Sequence, residues 1–187
     1  ARAYLISNEY NLIKQKTDYL GALLLKWIKN DNVHVTTEEK GVFKNKETKI
    51  EFINPPTEEF ELDMYNKMQR AAKDNILEKN EFKKYCSNNY SSILNWFDNV
   101  ISNEYNKLAS DSKYIAPVMV KGFLGHENQV DGATVELNEK AKQMAGLKIF
   151  FKEFTSMKDK QAIEVKMWRD YLIYAQLFGM RSEERRV

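Results

Sequence analysis

A chain of 187 residues has room for one ordinary domain, or for two small ones that share a core. Hydrophobic residues make up 43% and aromatics 12%, which is enough apolar material for a real core and excludes wholesale disorder. The 29 Lys and Arg nearly cancel the 27 Asp and Glu, leaving +2, so no strong field draws the protein to nucleic acid or anionic lipid by default.

Cys86 is the single cysteine, which excludes an internal disulfide and fits a reducing compartment. Three prolines and seven glycines favour long helices with few tight turns. The most apolar run, Tyr19 to Leu25, is stopped by Lys26, far short of the roughly 20 residues a spanning helix needs. Arg2 is not followed by an apolar stretch ending in small residues, so no signal peptide is read. The chain opens Ala1-Arg2-Ala3 without methionine and stops at Arg181 to Val187, so both ends read as cut from something longer.

In chain order, Ser7 to Lys16 predicts a short helix carrying Tyr10, Leu12 and Ile13. Thr17 or Asp18 can cap the next helix, which runs to about Asn30 and places Tyr19, Leu20, Leu23, Leu24, Trp27 and Ile28 at helical spacing. The pattern then alternates through Val33-His34-Val35, Val42-Phe43 and Ile50 to Ile53, predicting a small hairpin of two or three strands. Helices followed by a hairpin give the element order of a winged-helix unit.

Pro55 and Pro56 end that hairpin, and Thr57 is positioned to cap a helix with Phe60, Met64 and Met68 facing inward. A break at Asp74-Asn75 precedes a short helix with Phe82, Tyr85 and Cys86 on one side. Tyr90 to Leu108 predicts one long helix through Phe97, and strands are expected at Tyr114–Ala116 and Thr134–Leu137. Between them, Val118 to Gly132 holds three glycines and reads as a mobile loop. Asn138 can cap a helix through Phe154, Ser156 to Asp159 forms a loop with Asp159 as the next cap, and a final helix from Ile163 to Phe178 ends at Gly179.

The predicted fold is therefore α+β and mainly helical, with one or two winged-helix-like units carrying small β-hairpins and closed by a C-terminal helical pair. The boundaries are 1–54, 55–137 and 138–187, which also read together as one composite domain. The aromatics Trp27, Phe97, Phe151, Trp168, Tyr171 and Tyr174 are assigned to the core, because they share helical faces with Leu and Ala. Gly146 and Gly179 are read as a helix contact and a helix end.

The stretch Gly146-Leu-Lys-x-Phe-Phe-Lys-x-Phe154, then Trp168-x-x-Tyr-Leu-x-Tyr-Ala-x-x-x-Gly179, resembles the end of the cytoplasmic region of YciQ-like predicted bacterial membrane proteins. Ala22 to Val35 resembles the same family's passage from an apolar helix into a strand. Residues 81–130 depart from the pattern, and Arg169 stands where an acidic residue is common. The family is of unknown function, and its members are similar in having a secreted β-rich domain, membrane helices and a cytoplasmic region of this kind. The resemblance carries no catalytic residue. It implies a membrane-anchored parent protein and a place on the cytoplasmic face of a bacterial membrane.

Chemistry is sparse in the sequence. His34, Cys86 and His126 lie in three separate segments and give no metal-ligand spacing. Cys86 sits four residues after Phe82 on one helical face, where a small buried hydrophobe is expected rather than a nucleophile. No phosphate-cradling glycine motif, nucleophile elbow, zinc-protease or calcium-loop motif occurs, so no cofactor and no enzymatic activity are expected. Lys40, Lys44, Lys46 and Lys49 of the first hairpin could touch phosphate, although lysines on a solvated hairpin also protect sheet edges. The expected function is a non-enzymatic interaction or scaffolding domain whose partner is another protein. A nucleic-acid-binding winged-helix module is the alternative.

Overall fold

The computed structural model describes the backbone of residues 1–40, 45–122, 125–156 and 165–180, and their side chains apart from residues 39, 40, 45, 46, 154–156 and 165–169. The architecture is α+β and mainly helical. Helix α1 (Arg2–Glu9) lies earlier than the short helix expected from Ser7. Asn11 adopts φ +54°, and the N–H groups of Leu12 and Ile13 turn back onto the Ser7 carbonyl at 2.7 and 3.3 Å, so the chain cannot stay helical there. Helix α2 (Lys16–Lys29) starts at a capping box whose N-cap, Gln15, lies two residues before Thr17, with Asp18 Oδ2 accepting the Gln15 N–H at 3.0 Å.

Strands β1 (Val33–Lys40) and β2 (Asn45–Phe52) pair antiparallel from Val33 opposite Phe52 to Lys40 opposite Asn45. The third strand of this sheet arrives from beyond helix α3 (Glu59–Ala71): β3 (Ile76–Glu78) sets Leu77 opposite Ile50 on the far side of β2. Asp74 and Asn75 take φ +51° and +64° to make the turn, and the Asn75 side-chain amide donates to the Phe52 carbonyl at 2.5 Å. Two helices follow, α4 (Lys79–Asn88) and α5 (Tyr90–Ala109), and then the antiparallel ribbon of β4 (Ile115–Lys121) and β5 (Glu127–Ala133). The order helix, helix, hairpin thus occurs twice, as α1–α2–β1–β2 and as α4–α5–β4–β5.

Two expectations change here. Where a mobile loop was expected, residues 118–121 and 127–132 form most of the ribbon, with Gly125 at φ +78° between the strands. Val135 to Leu137 open helix α6 (Val135–Ser156) instead of a strand, because Thr134 Oγ1 accepts the Leu137 N–H at 3.4 Å and caps the helix before Asn138 is reached. The loop and cap assigned to Ser156 and Asp159 fall outside the described residues, apart from the backbone end of α6 at Ser156.

Helix α7 (Val165–Leu177) runs antiparallel to α2. Gly179 meets Asp18 at one end, Gln176 lies over Gly21, and Lys29 pairs with Asp170 at 2.5 Å near the other. A Cβ on Gly21 would stand 2.6 Å from the Gln176 amide nitrogen, so a side chain there would have to displace the Gln176 amide. Gly146 behaves otherwise. A Cβ there would meet nothing within 4 Å, so its assignment as a helix contact is corrected.

The main core draws on α1, α2, β1, β2, α3, β3, α5 and α7, with Tyr4, Trp27, Phe97, Met64 and Leu177 among its buried members. A second cluster joins Leu5, Ile6, Leu108, Ile115, Leu137 and Ala141 at the foot of the ribbon. A third holds Phe151 against Tyr171, with ring centroids 4.4 Å apart, and has Tyr174 partly buried at its margin. The side chain of Trp168 lies outside the described residues.

Candidate functional site

Of the four wing lysines, Lys49 alone has its side chain among the described residues. Lys49 is held by Glu38 at 2.8 Å, and Glu38 stands directly opposite Glu47 across β1 and β2. Lys44, and the side chains of Lys40 and Lys46, fall outside the described residues. His34 lies on β1, Cys86 on α4 and His126 beside the ribbon turn. Among the described residues no group of three or more His, Cys, Asp or Glu could hold a metal ion. Burial pushes the Cys86 thiol up from its ordinary range, the wrong direction for a nucleophile.

Concavities among the described residues include a polar cleft and an apolar groove beside the core helices. A cleft of about 370 Å³ has Tyr19 in its lining and is ringed by Arg2, Lys26, Lys107, Glu58, Glu61 and Glu104. Its charges neutralise one another: Arg2 meets Glu104 at 2.9 Å and Lys26 meets Glu61 at 2.6 Å. An open groove of about 510 Å³ is lined by Leu25, Ile28, Val33, Ile53 and Leu172, with His34 at its side. Neither brings together a nucleophile, a base and an oxyanion donor.

The β4–β5 ribbon is the candidate site. Its root is fixed firmly. Ile115 is buried in the second cluster, and the Thr134 N–H bonds to the Tyr114 carbonyl at 3.0 Å while its hydroxyl reaches the Lys113 carbonyl at 2.5 Å. Arg2, Lys113 and Lys140 surround the Tyr114 ring, with cationic groups 5.4, 5.7 and 5.8 Å from its centroid. Beyond this root, residues 117–121 and 127–131 are exposed on both faces.

Register sorts those residues. Each paired couple shares a face, so Ala116, Val118 and Val120 lie on one side with Gly132, Val130 and Asn128. Pro117, Met119 and Lys121 lie on the other with Asp131, Gln129 and Glu127. The first face is apolar and yet uncovered: Val118, Val120 and Val130 are 40%, 47% and 44% exposed, and Met119 on the reverse face is 62% exposed. Gly132 belongs there for a steric reason, since a Cβ would come within 2.5 Å of Val118.

Sequence reading missed this ribbon because Pro117, Gly122, Gly125 and Gly132 interrupt it at short intervals and mimic loop composition. The signal that could have found it is the alternation of Val118 and Val120 against Val130 across the glycine turn. Comparison of the chain with protein-family models, curated proteins and solved structures gave no match. Among the described residues no helix is long and apolar enough to cross a membrane.

Proposed function

We propose that this chain is a non-enzymatic interaction or scaffolding domain and that the β4–β5 ribbon is the surface through which it holds another protein. The observation that carries the reading is the uncovered apolar face of Val118, Val120 and Val130. An isolated two-stranded hairpin is marginally stable in water, and a contiguous exposed apolar face on a rigid root is a feature of interaction surfaces. The resemblance of Gly146 to Gly179 to YciQ-like proteins supports a membrane-anchored parent, with this domain on the cytoplasmic face of a bacterial membrane.

The test is site-specific photo-crosslinking in cells. A photoreactive residue at Val120 is expected to give a discrete protein adduct, whereas the same residue at exposed Lys142 on α6 gives none. Absence of an adduct at Val120, or identical adducts at both positions, would overturn the reading.

A further inference from the structure

The two edges of the ribbon are chemically different, and this difference points to a type of partner. The Gly122 N–H bonds to the His126 carbonyl and the Thr134 N–H to the Tyr114 carbonyl. With the register from Ile115–Ala133 to Lys121–Glu127, these bonds fix the phase of the ladder. The even-numbered residues of both strands bond within the ribbon, and the odd-numbered residues turn their N–H and C=O groups outward. On the β4 edge Pro117 occupies an outward position and has no N–H, which blunts that edge as prolines do on protected strands. On the β5 edge Glu127, Gln129 and Asp131 all keep their outward donors, and none of these donors bonds to another described residue.

Side chains add a second constraint. Glu127 and Asp131 lie on one face of the open edge, flanking Gln129, while Val130 faces the apolar side. Among the described residues the ion contact of Glu127 is a long one of 3.9 Å to Lys121, between two exposed side chains, so it retains capacity for another cation. Asp131 stands opposite Pro117, which offers it nothing.

Resting on the reading of the ribbon as an interaction surface, we propose that the β5 edge takes up an extended peptide segment of a partner protein as an added strand. The charge pattern defines that segment. A basic residue opposite Asp131, a second opposite Glu127 and apolar residues at the positions between give the five-residue pattern basic, apolar, any, apolar, basic. Main-chain bonds to Glu127, Gln129 and Asp131 supply the docking, and the alternating side chains supply the selectivity. A second copy of this chain is disfavoured at the same edge. Antiparallel pairing of two β5 strands about Gln129 would set Glu127 opposite Asp131 of the other copy, like charge against like. The acidic pair thus both deters self-association and selects a basic strand.

The experiment uses the whole chain and a labelled, end-blocked peptide with the core Lys-Val-Thr-Val-Lys, whose symmetry makes strand direction immaterial. Fluorescence anisotropy is expected to show binding, with the Glu-Val-Thr-Val-Glu counterpart failing to bind. Gln129→Pro removes one outward donor without touching the ladder's internal bonds and should weaken binding about tenfold or more. Met119→Pro, on the opposite edge, should leave it unchanged. The double variant Glu127→Lys, Asp131→Lys should exchange the preference between the two peptides, which guards against a folding artefact in the proline variants.

Equal binding by wild type and Gln129→Pro would overturn strand addition while leaving the apolar face as an interaction surface. Failure of the wild type to bind either peptide would also overturn it, and the Val120 crosslinking result then decides the broader reading separately. Sedimentation showing a dimer that Glu127→Lys strengthens and the peptide does not displace would assign the edge to a second copy instead.

Discussion

The indole Nε1 of Trp27 donates to Oε2 of Glu61 at 3.1 Å, and both side chains are buried. The other carboxylate oxygen receives the Lys26 ammonium at 2.6 Å, so consecutive residues of α2 grip one carboxylate on α3. A buried carboxylate is tolerated because it has partners on both oxygens. Glu61→Ala strands the indole N–H and should lower stability by about 1.5–3 kcal/mol. Glu61→Gln keeps a neutral acceptor and should cost less. Urea unfolding checks both, and a Glu61→Ala protein as stable as wild type would sink the assignment.

The rings of Tyr4 and Tyr19 stack with centroids 4.1 Å apart and planes 2° apart. Both hydroxyls are buried, and among the described residues neither has a hydrogen-bond partner. Burial, the largest cause, holds both ionisations above the ordinary tyrosine range, with nearby carboxylates adding to it. The folded state therefore disfavours phenolate. Their contribution to stability is fully present below about pH 10, where unfolded tyrosine ionises, and is lost as pH rises from there towards the folded values. Absorbance titration near the phenolate band should show Tyr4 and Tyr19 ionising only as the fold opens. Tyr4→Phe removes an unsatisfied hydroxyl and should be neutral or stabilising in thermal unfolding.

Gly146 and Gly179 should respond to alanine with opposite signs. At Gly146 a Cβ meets nothing, and the residue lies inside α6, so Gly146→Ala should stabilise by about 0.5–1 kcal/mol. Gly179 holds φ +66°, and its Cβ would stand 2.6 Å from Asp18 Oδ2. Gly179→Ala should destabilise by more than about 1 kcal/mol and loosen the join between α7 and the start of α2. Denaturant midpoints of the two variants measure this, and a shift of the same sign in both would refute it.

Phe151 anchors the third cluster against Tyr171 and Phe178. Phe151→Ala should cost about 3–5 kcal/mol, and Tyr171→Phe much less, since the ring contact survives. Calorimetry distinguishes the two.

The nucleic-acid alternative makes a separate claim. Under the interaction-domain proposal, duplex DNA at low salt should show no salt-sensitive binding that depends on Lys40, Lys44, Lys46 and Lys49. Binding that falls steeply with salt and disappears on reversing those charges would favour the alternative.

Periodicity made much of the fold readable. The helical spacing of Tyr19, Leu20, Leu23 and Trp27, and the unbroken pattern from Tyr90 to Leu108, mark α2 and α5 from local physics alone, because one face must be apolar wherever a helix packs. Gly179 announced a helix end for an equally local reason, its left-handed φ. The candidate site was the least legible part. Its glycines and proline read as loop signals, whereas the ladder from Ile115–Ala133 to Lys121–Glu127 is a property of two segments jointly.

What the chain determined by itself was its class and its inventory: a mainly helical α+β protein with balanced charge, a single cysteine and no local catalytic motif. Tertiary structure decided the matters that depend on pairing across sequence distance. It brought β3 to the free side of β2, laid α7 along Gly21, and set the phase of the ribbon so that Pro117 blunts one edge while Glu127, Gln129 and Asp131 leave the other open. Strand register carries that information, because a shift of one residue would turn every side chain and every backbone donor of the ribbon to the opposite side.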